Sequence, residues 1–127
     1  MKKISKTRIR KRISKKTDPE VKDLVIFLNK QKKPLWHQTA KYLSRPRKKA
    51  ISVNIDKINK LTEGDEVVIV PGKILSRGTL NHKLIIAAFK FSDKAKKRLT
   101  KKAELLSIKE LAEKISKFKG LNVRIII

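Results

Sequence analysis

The sequence predicts an α/β protein, and three observations carry that expectation. Strand-like and helix-like segments alternate after residue 50, an all-helical third precedes them, and 127 residues suit one compact domain. The first helix begins at Thr17-Asp18-Pro19-Glu20, with Asp18 as cap, Pro19 at the first helical position and an acid in the first turn. Val21, Leu24, Val25 and Leu28 follow at helical spacing and form a core-facing stripe. The segment 29–34 stops that helix, and a shorter one follows with Trp36, Ala40 and Leu43 on one face. Trp36 reads as a packing residue rather than a platform for a nucleic-acid base.

A basic loop, Ser44-Arg45-Pro46-Arg47-Lys48-Lys49, leads into the alternating strand Ile51–Ile55 and a short helix through Ile58 and Leu61. Thr62–Asp65 is predicted as a turn, Glu66–Val70 as a strand and Pro71-Gly72 as a second turn. Lys83–Phe91 reads as a buried strand. Ser92-Asp93 caps a helix carrying Ala95, Leu99 and six Lys/Arg between residues 94 and 102. Glu104–Leu106 suggests a brief strand, and Ser107-Ile108-Lys109-Glu110 has the capping-box pattern. Ile108, Leu111, Ala112 and Ile115 continue that helix, Gly120 ends it, and Asn122–Ile127 closes the chain as a strand.

Charge is the dominant chemical fact. There are 35 Lys+Arg against 11 Asp+Glu, a formal +24, which repels itself unless a polyanion neutralises it. Nucleic acid is the expected partner. A membrane is not, because the cations lie in separate segments and the longest apolar run, Leu84–Phe89, is six residues. Residues 1–16 hold nine Lys/Arg and no acid, the composition of a basic flexible arm that orders on an anion, ahead of a single domain over 17–127. No cysteine is present and no secretory apolar region is read at the N-terminus, so a soluble intracellular protein is expected.

Catalytic patterns are not discernible. In VVIVPGKILSRG, residues 67–78, Gly72-Lys73 is followed by Ile74, and Val67 stands five residues before Gly72. Neither the first glycine nor the hydroxyl of a nucleotide-binding P-loop is therefore present. His37 and His82 lack a carboxylate pattern, and the acids Glu63, Asp65 and Glu66 read as a solvated turn. No enzyme, cofactor, metal or small-molecule substrate is expected. The candidate phosphate contacts are Lys2, Lys3, Lys6, Arg8, Arg10, Lys11, Arg12, Lys15 and Lys16 of the arm, Arg45, Arg47, Lys48 and Lys49 of the proline loop, and Lys73 and Arg77 beside the glycines. The helix with six cations reads equally well as a solvated face.

Several of these segments together resemble a known family. VVIVPGKILSRGTLNHKLIIAAFKFSDKAKKRL is similar to the Val-rich strand, Pro-Gly-Lys-Val-Leu segment, glycine turn, apolar strand and Phe-Ser-x-x-Ala helix start of archaeal large-subunit ribosomal protein eighteen-e, the relative of bacterial ribosomal protein fifteen. Thr17-Asp18-Pro19, Trp36, Arg45-Pro46-Arg47-Lys48, Val53-Asn54-Ile55 and Asn122-Val123-Arg124-Ile125 resemble it too, over about residues 17–127. Two features depart from that pattern. Leu75-Ser76-Arg77-Gly78 stands where the family often has Leu-Gly-x-Gly, which argues against a tight left-handed turn at residue 76. The arm is longer and more basic than in archaeal members. The resemblance implies irregular, layered β-β-α units, with helices packed on a mixed sheet. It also implies a structural, non-catalytic role in the cytoplasmic large ribosomal subunit. Large-subunit ribosomal RNA and neighbouring large-subunit proteins would be the partners. The alternative is a free-standing basic RNA- or DNA-binding protein such as an RNA chaperone.

Overall fold

The computed structural model describes residues 19–31, 33–44, 50–118 and 121–127. The contacts of the chain divide it into two units, residues 1–50 and 51–127. The expected boundary between arm and domain, at 16/17, lies outside the described residues, as do the Asp18 cap and Gly120.

In the first unit, helix α1 spans Pro19–Asn29 and α2 spans Pro34–Leu43. Both begin on proline, whose missing N–H costs nothing in a first turn, and Lys33 before α2 is extended as a pre-proline residue must be. Val25 and Leu28 are fully buried on α1, and Trp36, Ala40 and Leu43 are buried on α2, where the helical spacing placed them. Trp36 is 2% exposed, so its role is packing.

The second unit is a five-stranded sheet with β1 at Ile51–Asn54, α3 at Ile55–Leu61, β2 at Glu66–Leu75 and β3 at Leu84–Phe91. It continues through α4 at Asp93–Leu99, β4 at Ala103–Ser107, α5 at Ile108–Lys114, a 3₁₀ turn and β5 at Val123–Ile125. The α/β class is as expected, but the sheet is not mixed: among the described residues all four strand pairings are parallel. Consecutive strands that run parallel need a crossover connection, and α3, α4 and α5 lie in three of them, the last carrying the chain from β4 to the non-adjacent β5. The fourth is the segment 76–83, which returns from the end of β2 to the start of β3 along α3. Asp56 N donates to Arg77 O (3.0 Å) and Asn81 N to Asn59 Oδ1 (2.9 Å). Thr62 Oγ1 lies 2.7 Å from His82 Nε2. Because the Thr62 hydroxyl already donates to Ile58 O, the imidazole N–H is the donor in that contact.

β2 is the central strand. β3 covers one edge, while β1 and β5 share the other, pairing with Gly72–Leu75 and Val67–Ile69 respectively. Val67–Val70 are all fully buried, as expected of a parallel strand covered on both faces. The turn expected at Pro71-Gly72 is absent. The strand continues through these residues with a register irregularity between Val70 and Lys73. Proline lacks the N–H for a regular ladder and is accommodated at such an irregularity.

Local caps form as the sequence indicates. Ser92 Oγ accepts from Ala95 N at 3.2 Å, and Ser107 and Glu110 complete a capping box at 3.1 and 3.3 Å. The closing strand is shorter than expected, although Val67 N to Asn122 O and Ile126 N to Ile69 O extend its bonding at both ends.

The acidic turn needs a correction at Glu66, which is 4% exposed rather than solvated. Its carboxylate accepts from Glu63 N at 3.1 Å and from Arg124 Nε at 2.6 Å, tying the start of β2 to β5. The Glu63 N–H and the Arg124 guanidinium hold its carboxyl below the usual range, against the opposing effect of burial. A depressed folded-state pKa means that the stability contributed is complete above the unfolded value and is lost as pH falls through the folded one. Glu66→Gln is therefore expected to be less stable than wild type near neutral pH, with the gap narrowing below about pH 4.5. Thermal melts at both pH values check this; a gap that persists in acid would contradict it.

Candidate nucleic-acid interface

Of the fifteen expected phosphate contacts, the nine in the arm and the four in the proline loop lie outside the described residues. Lys73 and Arg77 lie in the second unit, on opposite sides of the carboxyl end of β2. Lys73 belongs to a strand rather than a turn. It is exposed and in register with Ser52 on β1 and Lys90 on β3, both also exposed. Register partners in a parallel sheet share a face, so the two lysines stand side by side on an open patch of the sheet.

Arg77 begins the crossover beyond the strand. Its Nε donates to Asp56 Oδ2 at 3.3 Å, with side-chain exposures of 77% and 47%. An ion pair so exposed contributes little and exchanges readily for a phosphate. The backbone here is fixed more firmly than the side chain. Gly78 has φ +103°, and a Cβ there would lie 2.5 Å from Asp56 N, so only glycine lets the crossover lie against α3. The left-handed residue is thus Gly78, and among the described residues Ser76 is not one with positive φ. Arg98 on α4 donates from Nη1 to Ser76 O (2.8 Å) and Gly78 O (3.3 Å), which pins the turn from its other side.

These elements enclose an open cleft of about 660 Å³ lined by Asn54, the 75–78 turn, Ser92–Lys94 and Arg98. It lies outside the carboxyl ends of β1, β2 and β3, the usual binding edge of an open α/β sheet. Arg77, Lys94 and Arg98 supply positive charge against Asp93. Helix α4 is therefore more than a solvated face: Ala95 and Leu99 are buried, while Lys94 and Arg98 face the cleft. Lys90 is not among the sequence-predicted contacts, and Arg98 belongs to the cationic helix whose sequence reads equally well as a solvated face. Lys90 sat within a strand read as buried, and no local pattern marks Arg98 as a clamp on a turn 20–22 residues earlier.

The fold and this edge define a small, strongly basic, parallel-sheet α/β protein with a cation-lined open cleft. No protein-family model matches the chain. It is 40% identical over 110 residues to the large ribosomal subunit protein eL18 of Sulfurisphaera tokodaii, covering 86% of this chain and 92% of that protein. Proteins of the same name from Sulfolobus acidocaldarius and Pyrobaculum aerophilum are 33% and 36% identical, covering 86% and 87% of this chain and 93% of each relative. The chain belongs to the family of large ribosomal subunit protein eL18.

Proposed function

We propose that this chain is a structural constituent of the cytoplasmic large ribosomal subunit. It binds large-subunit ribosomal RNA through the phosphate backbone, supports assembly, contacts neighbouring large-subunit proteins and performs no catalysis. The observation that carries this reading is a formal +24 in a chain of the eL18 family. Lys and Arg neutralise phosphates and release counterions, which gives affinity without reading bases. The arm, Arg45, Arg47, Lys48 and Lys49 are its expected contacts, with Lys73 and Arg77 at the described edge. Part of the proposal is that residues 1–16 act as an arm on a domain that folds without them.

The protein is expected to co-sediment with the large subunit at low salt. Its recovery only in a ribosome-free fraction would overturn the reading. Equal affinity for duplex DNA and a folded ribosomal RNA fragment at matched salt would favour a free-standing basic protein instead. Lys73→Ala and Arg77→Ala are each expected to weaken RNA binding and to reduce the log K–log salt slope by about 0.9. Neither should shift the thermal melt, because both side chains are exposed. A slope that both substitutions leave unchanged would remove these two residues from the interface.

A further inference from the structure

The cleft at the carboxyl edge is lined by neutral polar residues as well as cations, and the Asn54 side chain does not cap the helix that follows it. Asn54 is the N-cap of α3, with φ −86° and ψ 158°, yet its side chain makes no capping hydrogen bond. An asparagine at this position ordinarily commits its side-chain oxygen to the helix. Here Asn54 is one of the residues lining the cleft, and its side chain makes no hydrogen bond to the backbone of α3. Ser92 Oγ accepts from Ala95 N, which leaves its O–H to donate. Leu75 adds an apolar wall, and Arg98 is held in place by the two carbonyls its Nη1 contacts. The cleft, of about 660 Å³, is open to solvent, so it would seat a group rather than enclose it.

A surface for phosphates alone needs charge, not a concavity that also presents an asparagine. Folded RNA offers a group that uses both, because loops and bulges splay single bases away from the helix. A carboxamide presents one donor and one acceptor side by side, the complement of a base edge such as adenine's. We propose that this cleft seats one unstacked nucleotide of the bound RNA, its phosphate on Lys94 and Arg98 and its base edge on the Asn54 amide. The proposal rests on the RNA-binding reading above and goes beyond it, since phosphate contacts carry no base information.

The test uses the full chain with two probes, deproteinised large-subunit ribosomal RNA and a perfectly paired RNA duplex of arbitrary sequence. Asn54→Ala and Asn54→Ser are expected to lose at least about fivefold in affinity for the ribosomal RNA and nothing on the duplex. Their log K–log salt slopes should match wild type, since no charge is removed. Lys94→Ala should instead reduce the slope on ribosomal RNA by about 0.9. Asn54→Ser keeps a capping residue before α3, so a loss shared by both variants is not a folding effect. Unchanged affinity for ribosomal RNA, or equal losses on both probes, would overturn the proposal. A wild-type chain that binds both RNAs equally well would overturn the ribosomal reading itself, and the seated nucleotide with it.

Discussion

Gly72→Ala is expected to destabilise the protein by about 3 kcal/mol, at the upper end of what overpacking costs. A Cβ at residue 72 would lie 2.2 Å from the Ile51 carbonyl oxygen, 2.8 Å from its carbon and 2.9 Å from Ile51 Cβ. Two of those three atoms are backbone, so no rotamer change relieves the clash. Ile51 and Gly72 are register partners, and relief requires β1 to move away from β2. The pairings of Ile51–Asn54 with Gly72–Leu75 would weaken together, and Asn54 would shift at the mouth of the cleft. The midpoint of thermal unfolding should fall by on the order of 10 °C. Gly64→Ala is the control, because the nearest atom to a Cβ there is His82 Cβ at 3.9 Å, an ordinary contact. Urea and thermal unfolding of both variants check the pair. A Gly72→Ala protein within about 0.5 kcal/mol of wild type would show that β1 is free to move, and the argument would fail.

Deleting residues 1–16 is expected to change RNA binding more than any single substitution, while leaving stability within about 0.5 kcal/mol of wild type. The segment carries nine of the positive charges behind the formal +24. Each phosphate contact contributes roughly 0.9 to the log K–log salt slope on duplex and about 0.7 on single strands. If most of the nine engage, the slope of the truncated chain is shallower by several units. Between 50 and 200 mM salt, a protein with 6–10 contacts loses about 10³–10⁵ in affinity. The truncated chain should lose far less over the same range, starting from a weaker value at low salt. Titrations of both chains against ribosomal RNA at four salt concentrations measure this. An unchanged slope would mean that the arm contributes nothing to binding, and a lowered melting temperature would place the domain boundary elsewhere.

Features that depend on residues within about four positions of one another were legible in the sequence. The stripes of Val25 and Leu28 and of Trp36, Ala40 and Leu43 are buried as their spacing requires. Ser107 and Glu110 close the capping box that four consecutive residues announced. The apolar run Val67–Val70 forms a buried strand, because no partly solvated strand could hold four such side chains. The net charge and the expectation of a nucleic-acid partner also came from composition, which needs no geometry.

The site was less legible, because its geometry depends on residues far apart in the chain. Pro71-Gly72 has the local chemistry of a turn, yet the backbone of β1 lies against Gly72 and keeps the segment in the sheet. Glu66 looked solvated among its acidic neighbours until β5 brought Arg124 to its carboxylate from 58 residues away. Lys73 and Lys90 share a face only because β2 and β3 are parallel and in that register. Arg98 reaches Ser76 and Gly78 across more than one strand length of chain. The sequence by itself determined the class of fold, the caps at Ser92 and Ser107 with the helices they begin, and the charge that calls for a polyanion. The tertiary structure alone decided which strands pair, which acid is buried and which cations meet at one edge, because those depend on strand register and crossover path, which no local pattern records.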